Sequence, residues 1–231
     1  MKSDRTFSET LKEIWYVVAC VFWATFLALS VAVLYKTFVM DVLTPGRKWL
    51  HFYFAVGFAA FFPLILIPIP RVRHNLKWLA TFTHELTHTV FALLFFRKMS
   101  AFVVDGKDDR ASFSGGWLGY KTITLSPYCV PVITLALLPW RFTTGDPVFL
   151  SVIDFLIGLT YAFHVCCWMK QVRTYQSDIQ GPGIIRSLLI IASFQIIGLC
   201  IVILTTSSGV VLALQRVCWI FPKEVILSIL G

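Results

Sequence analysis

Thr81-Phe82-Thr83-His84-Glu85-Leu86-Thr87-His88-Thr89-Val90-Phe91 sets two histidines and a glutamate inside an apolar run that continues through Ala92-Leu93-Leu94-Phe95-Phe96. On a helix, positions four apart lie one turn above each other, about 40° apart in projection. His84 and His88 therefore turn their imidazoles to a common point with Glu85 beside them, which is how H-E-x-x-H serves a single zinc ion. Thr81 joins them in a polar stripe about 100° wide on a helix otherwise built of Leu, Phe, Val and Ala. An ionisable group facing hydrocarbon costs at least ~3 kcal/mol, so the stripe has to face a bundle interior or a water-filled cavity. Fewer than about one chain in a hundred of this length carries H-E-x-x-H by chance at ordinary composition.

The surroundings are those of a membrane protein. Of 231 residues, 58% are hydrophobic and 14% charged, where a soluble domain carries about a quarter charged residues. The net charge of +8 is spread over short clusters between apolar runs, such as Arg71-Val72-Arg73-His74-Asn75-Leu76-Lys77 and Gly46-Arg47-Lys48-Trp49. These read as anchors against anionic headgroups, and nucleic acid is excluded as a partner. His51 and His74 read as headgroup contacts of the same kind. The six cysteines show no C-x-x-C spacing and read as small core residues.

Apolar segments at 14–35, 52–69, 76–96, 123–140, 148–168 and 184–204 are each close to the roughly 20 residues that cross a bilayer. The first outruns a signal-peptide core and reads as a retained anchor. Pro63, Pro68 and Pro70 kink and end the second, 71–77 reads as a basic loop, and Pro127 and Pro131 punctuate the fourth. Between the third and fourth, 101–116 alternates apolar and polar residues around Asp105-Gly106, the chain's only β-hairpin signal. The fold expected is an all-α polytopic membrane protein, 1–231 forming one bundle of about six transmembrane helices with a short hairpin after the motif helix. The 205–231 tail reads equally as an extension, a re-entrant piece or an interfacial helix. Lys and Arg are nearly balanced between alternate loops and set no orientation.

A zinc site needs a third protein ligand and an open position for water. Asp154 and His164 lie within the fifth apolar run, and Asp178 lies at the mouth of the sixth, ahead of Gly181-Pro182-Gly183. Were the fifth helix to run straight on, His164 would sit about 21 Å below Asp178, so both could not bind one ion. The residues alone rank Asp178 first, His164 second and Asp154 third.

H-E-L-T-H in a transmembrane helix, a hairpin after it, Ser126-Pro127-Tyr128-Cys129-Val130-Pro131 and a later aspartate together resemble the site-2-protease family of intramembrane zinc metallopeptidases. The likeness is to its compact bacterial members without a PDZ domain, and covers about 76–190. It implies zinc held by His84, His88 and Asp178, with Glu85 as general base, membrane protein or peptide substrates, and a bacterial inner membrane. The family's aspartate usually stands in Asn-Pro-x-x-Asp-Gly or Leu-Asp-Gly; here the text is Gln176-Ser177-Asp178-Ile179-Gln180-Gly181. Asp105-Gly106 does spell Asp-Gly but falls at the hairpin turn. The hairpin edge at Val103, Val104, Ser112 and Phe113 is the expected platform for an extended substrate. Two other classes share the motif: a zinc hydrolase of a lipid-linked substrate, and a non-catalytic scaffold, which would not need Glu85. A di-iron oxygenase needs more histidines than the five present.

Overall fold

The computed structural model describes residues 7–44, 51–104, 110–114, 120–143 and 145–230. Helix α1 (Phe7–Thr37) runs through the first expected span and widens into a π-helical turn at Phe38–Val42. Helix α2 (Phe52–Leu66) follows, and α3 (Pro70–Leu94) carries the histidine motif. Strands β1 (Lys98–Val103) and β2 (Arg110–Ser114) pair antiparallel, from Lys98 opposite Ser114 to Val103 opposite Arg110, with an irregularity between Met99 and Ala101. The Asp105-Gly106 turn lies outside the described residues. Helices α4 (Tyr120–Cys129) and α5 (Val132–Leu137) come next, with a 3-10 turn at Leu138–Phe142. They are followed by α6 (Pro147–Gln171), the short α7 (Ser177–Gln180), α8 (Ile184–Ser208), α9 (Val210–Gln215) and α10 (Phe221–Leu230).

Among the described residues, three helical stretches, Glu9–Val42, Pro147–Gln171 and Ile184–Ser208, are long and apolar enough to cross a bilayer, which marks a membrane protein. A fourth exists if the pair Lys121–Cys129 and Val132–Arg141, bent by 75°, counts as one broken span. The remaining two expected spans differ for physical reasons. The 15 residues of α2 extend about 22 Å, short of a hydrocarbon core of roughly 30 Å. α3 is long enough but too polar, because the expected loop at 71–77 is its first two turns. Pro70 does not close the preceding segment; it opens this helix at its first position, where the missing N–H costs nothing.

The closest helix pairing is α2 against α6. A Cβ at Gly57 would lie 1.9 Å from the Phe155 carbonyl oxygen, and one at Gly158 would lie 2.1 Å from that of Phe54. Two glycines thus let the backbones touch, the small-residue packing that replaces the hydrophobic effect between helices in lipid. α1 lies along α8, and the tail closes on both: Val33, Cys200, Leu204, Ala213, Val217 and Phe221 form one buried cluster. An ion pair of 2.5 Å between Lys36 Nζ and Glu224 Oε2 ties α10 to the end of α1. The tail is therefore a pair of helices folded back on the bundle.

A polar network sits at the end of α8 remote from Gly183, about 35 Å along that helix. Arg141 is bound to both carboxylate oxygens of Asp154, at 2.5 and 2.8 Å, and donates to the carbonyls of Thr205 and Thr206. His51 belongs to this network and not to the headgroup region. It is 7% exposed, with Nδ1 2.8 Å from Thr206 Oγ1 and Nε2 3.3 Å from the fully buried Asp41.

A methyl group at the α2–α6 crossing has nowhere to go. Gly158→Ala is expected to lower the melting temperature in detergent, since overpacking against backbone costs at least ~1–3 kcal/mol. Gly145→Ala, where an added Cβ meets open space, is expected to leave it unchanged; equal melting temperatures for the two variants would contradict the packing described.

Candidate metal centre

The site forms where α3 meets the turn between α6 and α8. α6 ends at Gln171, and the chain reverses through a bend in which the Gln176 amide donates to the Arg173 carbonyl at 3.0 Å. One turn of helix, α7, follows. Its Ile179 is fully buried among Leu125, Tyr128 and Ile191, and the Ser187 hydroxyl donates to the Ile179 carbonyl at 3.0 Å. Gly183 then enters α8 with φ of 100°, and any Cβ there would meet the Tyr16 ring at 2.5 Å. Buried on its apolar side, α7 presents the neighbouring residue, Asp178, to α3.

Asp178 meets the histidines there. One ligand atom from each of His84, His88 and Asp178 lies within 4.8 Å of the others, and His84 Nε2 is 4.0 Å from Asp178 Oδ2. Donors around a tetrahedral zinc ion sit roughly 3.3 Å apart, so side-chain rotations of about an ångström close the set. The imidazole rings are 4.9 Å apart, centre to centre, and nearly perpendicular.

Each ring is held by its far nitrogen. His84 Nδ1 lies 3.3 Å from Gln171 Oε1, and His88 Nδ1 lies 2.8 Å from the Ile123 carbonyl. Both Nδ1 atoms act as donors to these oxygens, which leaves the Nε2 lone pairs free for a metal. The Tyr128 hydroxyl donates to Asp178 Oδ2 at 3.2 Å, and its ring packs edge-on against His84. The donor set of two imidazoles and a carboxylate, each with its own supporting hydrogen bond, could hold a metal ion.

The Ile123 carbonyl is free to accept because of a proline. Residue 127 would normally donate its N–H four residues back, but Pro127, inside α4, has none. His88 takes that place, together with the Ser126 hydroxyl at 2.7 Å.

Glu85 follows His84 on α3, is 9% exposed, and lies within electrostatic reach of the Tyr128 hydroxyl. His164 stands outside the group of three. Its Nε2 accepts from the Gln195 amide at 3.0 Å, and that amide nitrogen also donates to the Tyr128 carbonyl at 2.6 Å. Asp154 is committed to Arg141 at the remote network. Thr81 is satisfied by the Lys77 carbonyl and lines a different cleft from His84. A narrow pocket of about 20 Å³ separates His84 from His164, walled by Thr87, Pro131, Cys167 and Gln171.

Of the hairpin residues, Val103 and Ser112 are half-buried, Val104 falls just past β1, and Phe113 is in β2 opposite Met99. Phe102 packs edge-on against Phe82 at 6.1 Å, which seats the sheet on the motif helix.

No family model, curated protein or solved structure matches this chain.

Sequence reasoning passed over Gln171, Tyr128 and Gln195. Gln195 was the most visible of the three, an amide amid the apolar run of α8, where polar groups are costly without partners. Metal content per folded molecule should fall sharply in Asp178→Ala and stay near the parent value in His164→Ala and Asp154→Ala. Elemental analysis of the purified variants checks this, and full occupancy in Asp178→Ala would remove that residue from the site.

Proposed function

We propose that this chain is a membrane-embedded zinc metallopeptidase that hydrolyses peptide bonds of membrane proteins in or near the bilayer. The observation that carries the reading is the meeting of His84, His88 and Asp178 within 4.8 Å, with a glutamate in the H-E-x-x-H position beside them. Two histidines, one carboxylate and an open position make up a common catalytic zinc set. The likeness of the motif order to site-2 proteases supports the same activity and, by extension, a multi-pass protein of a bacterial inner membrane in which α2 and α3 complete the bundle.

A zinc ion held there would supply a Lewis acid for the scissile carbonyl and bring the pKa of a bound water towards neutrality. Glu85 would take a proton from the attacking water as its oxygen bonds to the scissile carbonyl carbon, and would return it to the leaving amine nitrogen as the C–N bond breaks. Its burial keeps the proton from bulk solvent between the two steps. Gln171 and the Ile123 carbonyl hold the imidazoles in one tautomer, and Tyr128 holds the Asp178 carboxylate in place, so the ligands need no reorganisation during turnover.

A transmembrane substrate hides its carbonyls in its own helical hydrogen bonds and must be locally unwound. The β1–β2 sheet, seated on α3 at Phe82, offers a strand edge that an extended peptide can join. The pocket of about 20 Å³ beside His84 has room for a single water at the bend between α4 and α5.

Glu85→Gln is expected to retain bound metal while cleavage of a membrane-peptide substrate in detergent falls by about 10²–10⁴-fold. Retained turnover would refute the general-base role, and hydrolysis of lipid-linked amides with no peptide cleavage would reassign the substrate.

A further inference from the structure

A second site lies on the opposite face of α4 from the pocket beside His84. Between α1, α4 and α8 is an open cleft of about 310 Å³ whose walls include Trp23, Leu125, Cys129, Ile190 and Phe194. Lys121 and Arg186 also line it. Those two cations lie close enough to repel each other, and none of the ion pairs among the described residues involves either of them.

Arg186 is unusually constrained for an unpaired guanidinium. It packs over the Tyr16 ring, 5.5 Å from its centre, and donates from Nη2 to the Pro182 carbonyl, yet its buried Nε–H has no acceptor. A buried donor without an acceptor costs free energy, and two like charges side by side add to that cost. An anion between Lys121 and Arg186 removes the repulsion between them.

The rest of the cleft identifies what carries that anion. From Arg186, at the start of α8, to Phe194 is about 12 Å along the helix. Over that length the walls turn apolar, ending where the Trp23 and Phe194 rings meet at 6.1 Å. Both α1 and α8 are long, apolar, membrane-crossing helices, so the far end of the cleft lies at acyl-chain depth. A free phosphate or a soluble peptide would leave that end unfilled, whereas a molecule with an anionic head and a hydrocarbon chain fills both parts.

We infer that the cleft between α1, α4 and α8 binds one anionic phospholipid, with its phosphate between Lys121 and Arg186 and an acyl chain along Leu125, Ile190, Trp23 and Phe194. Bound there, the lipid would bridge the N-terminal helix to α4, whose next turns carry the Ile123 carbonyl and Tyr128. The site is separate from the metal centre and its test needs no peptidase activity.

The test is native mass spectrometry of the detergent-purified chain, titrated with phosphatidylglycerol, with phosphatidylcholine of the same chains, and with inorganic phosphate. One phosphatidylglycerol should be retained per chain, at least about tenfold more tightly than phosphatidylcholine. The double variant Lys121→Gln/Arg186→Gln should lose that preference. Lys121→Gln alone, at an exposed position that does not threaten folding, should weaken it severalfold, and Lys170→Gln should not alter it. Equal affinity for the two lipids, tight competition by inorganic phosphate alone, or unchanged binding in Lys121→Gln would each overturn the assignment.

Discussion

A carboxylate facing two imidazoles in a low-dielectric bundle is the constraint around which the rest of this structure is arranged. Asp178 and the histidines belong to elements far apart in sequence, and neither α3 nor α7 holds the arrangement alone. α7 is a single helical turn, too short to be stable by itself. Its position comes from Ile179, buried against α4 and α8, and from the Ser187 hydroxyl on its carbonyl. The site is thus specified by packing from helices that supply no ligand.

Proline does much of the remaining work. A proline inside a helix costs ~3 kcal/mol or more, because a backbone carbonyl loses its partner. In α4 the carbonyl so released, that of Ile123, is the one that orients His88. Pro131 then ends the helical path at the 75° bend, and the pocket beside His84 lies under that bend. Irregular backbone at membrane depth is tolerated where it lines a cavity, and here the irregularity and the site share the same few residues. At the other end of the bundle, polar groups have a different use. Asp154 pairs with Arg141, Asp41 lies beside His51, and their bonds to Thr205, Thr206 and Ser207 tie α6, α8 and the end of α1 together. Burial of ionisable side chains alone therefore does not separate a reactive site from a structural one; free ligand atoms converging on one point do.

The membrane character, the presence of α1, the extent of α6 and α8, and the hairpin after the motif helix were all readable from apolar runs and turn residues. The shared face of His84 and His88 followed from helical spacing alone. Four things were not readable. Pro70 marks a helix start as well as a stop, and only the direction of the following chain decides which. The length of α2 depends on where Pro63 lets its hydrogen bonding end, and hydropathy does not report that. His51 looked interfacial because its sequence neighbours are, while its partners Thr206 and Asp41 come from distant segments. The supporting groups at the metal centre were hidden for the same reason: a glutamine at a helix end and a tyrosine after a proline gain meaning only once packing brings them to His84 and Asp178.

The central claim is that His84, His88 and Asp178 hold one zinc ion. Zinc K-edge X-ray absorption on the purified protein tests it most directly, together with metal stoichiometry. One zinc per chain, with imidazole nitrogen and carboxylate oxygen scatterers at about 2.0–2.2 Å and no sulfur, is the result predicted. A metal-free protein that takes up no zinc on reconstitution, or a first shell containing sulfur at about 2.3 Å, would contradict it.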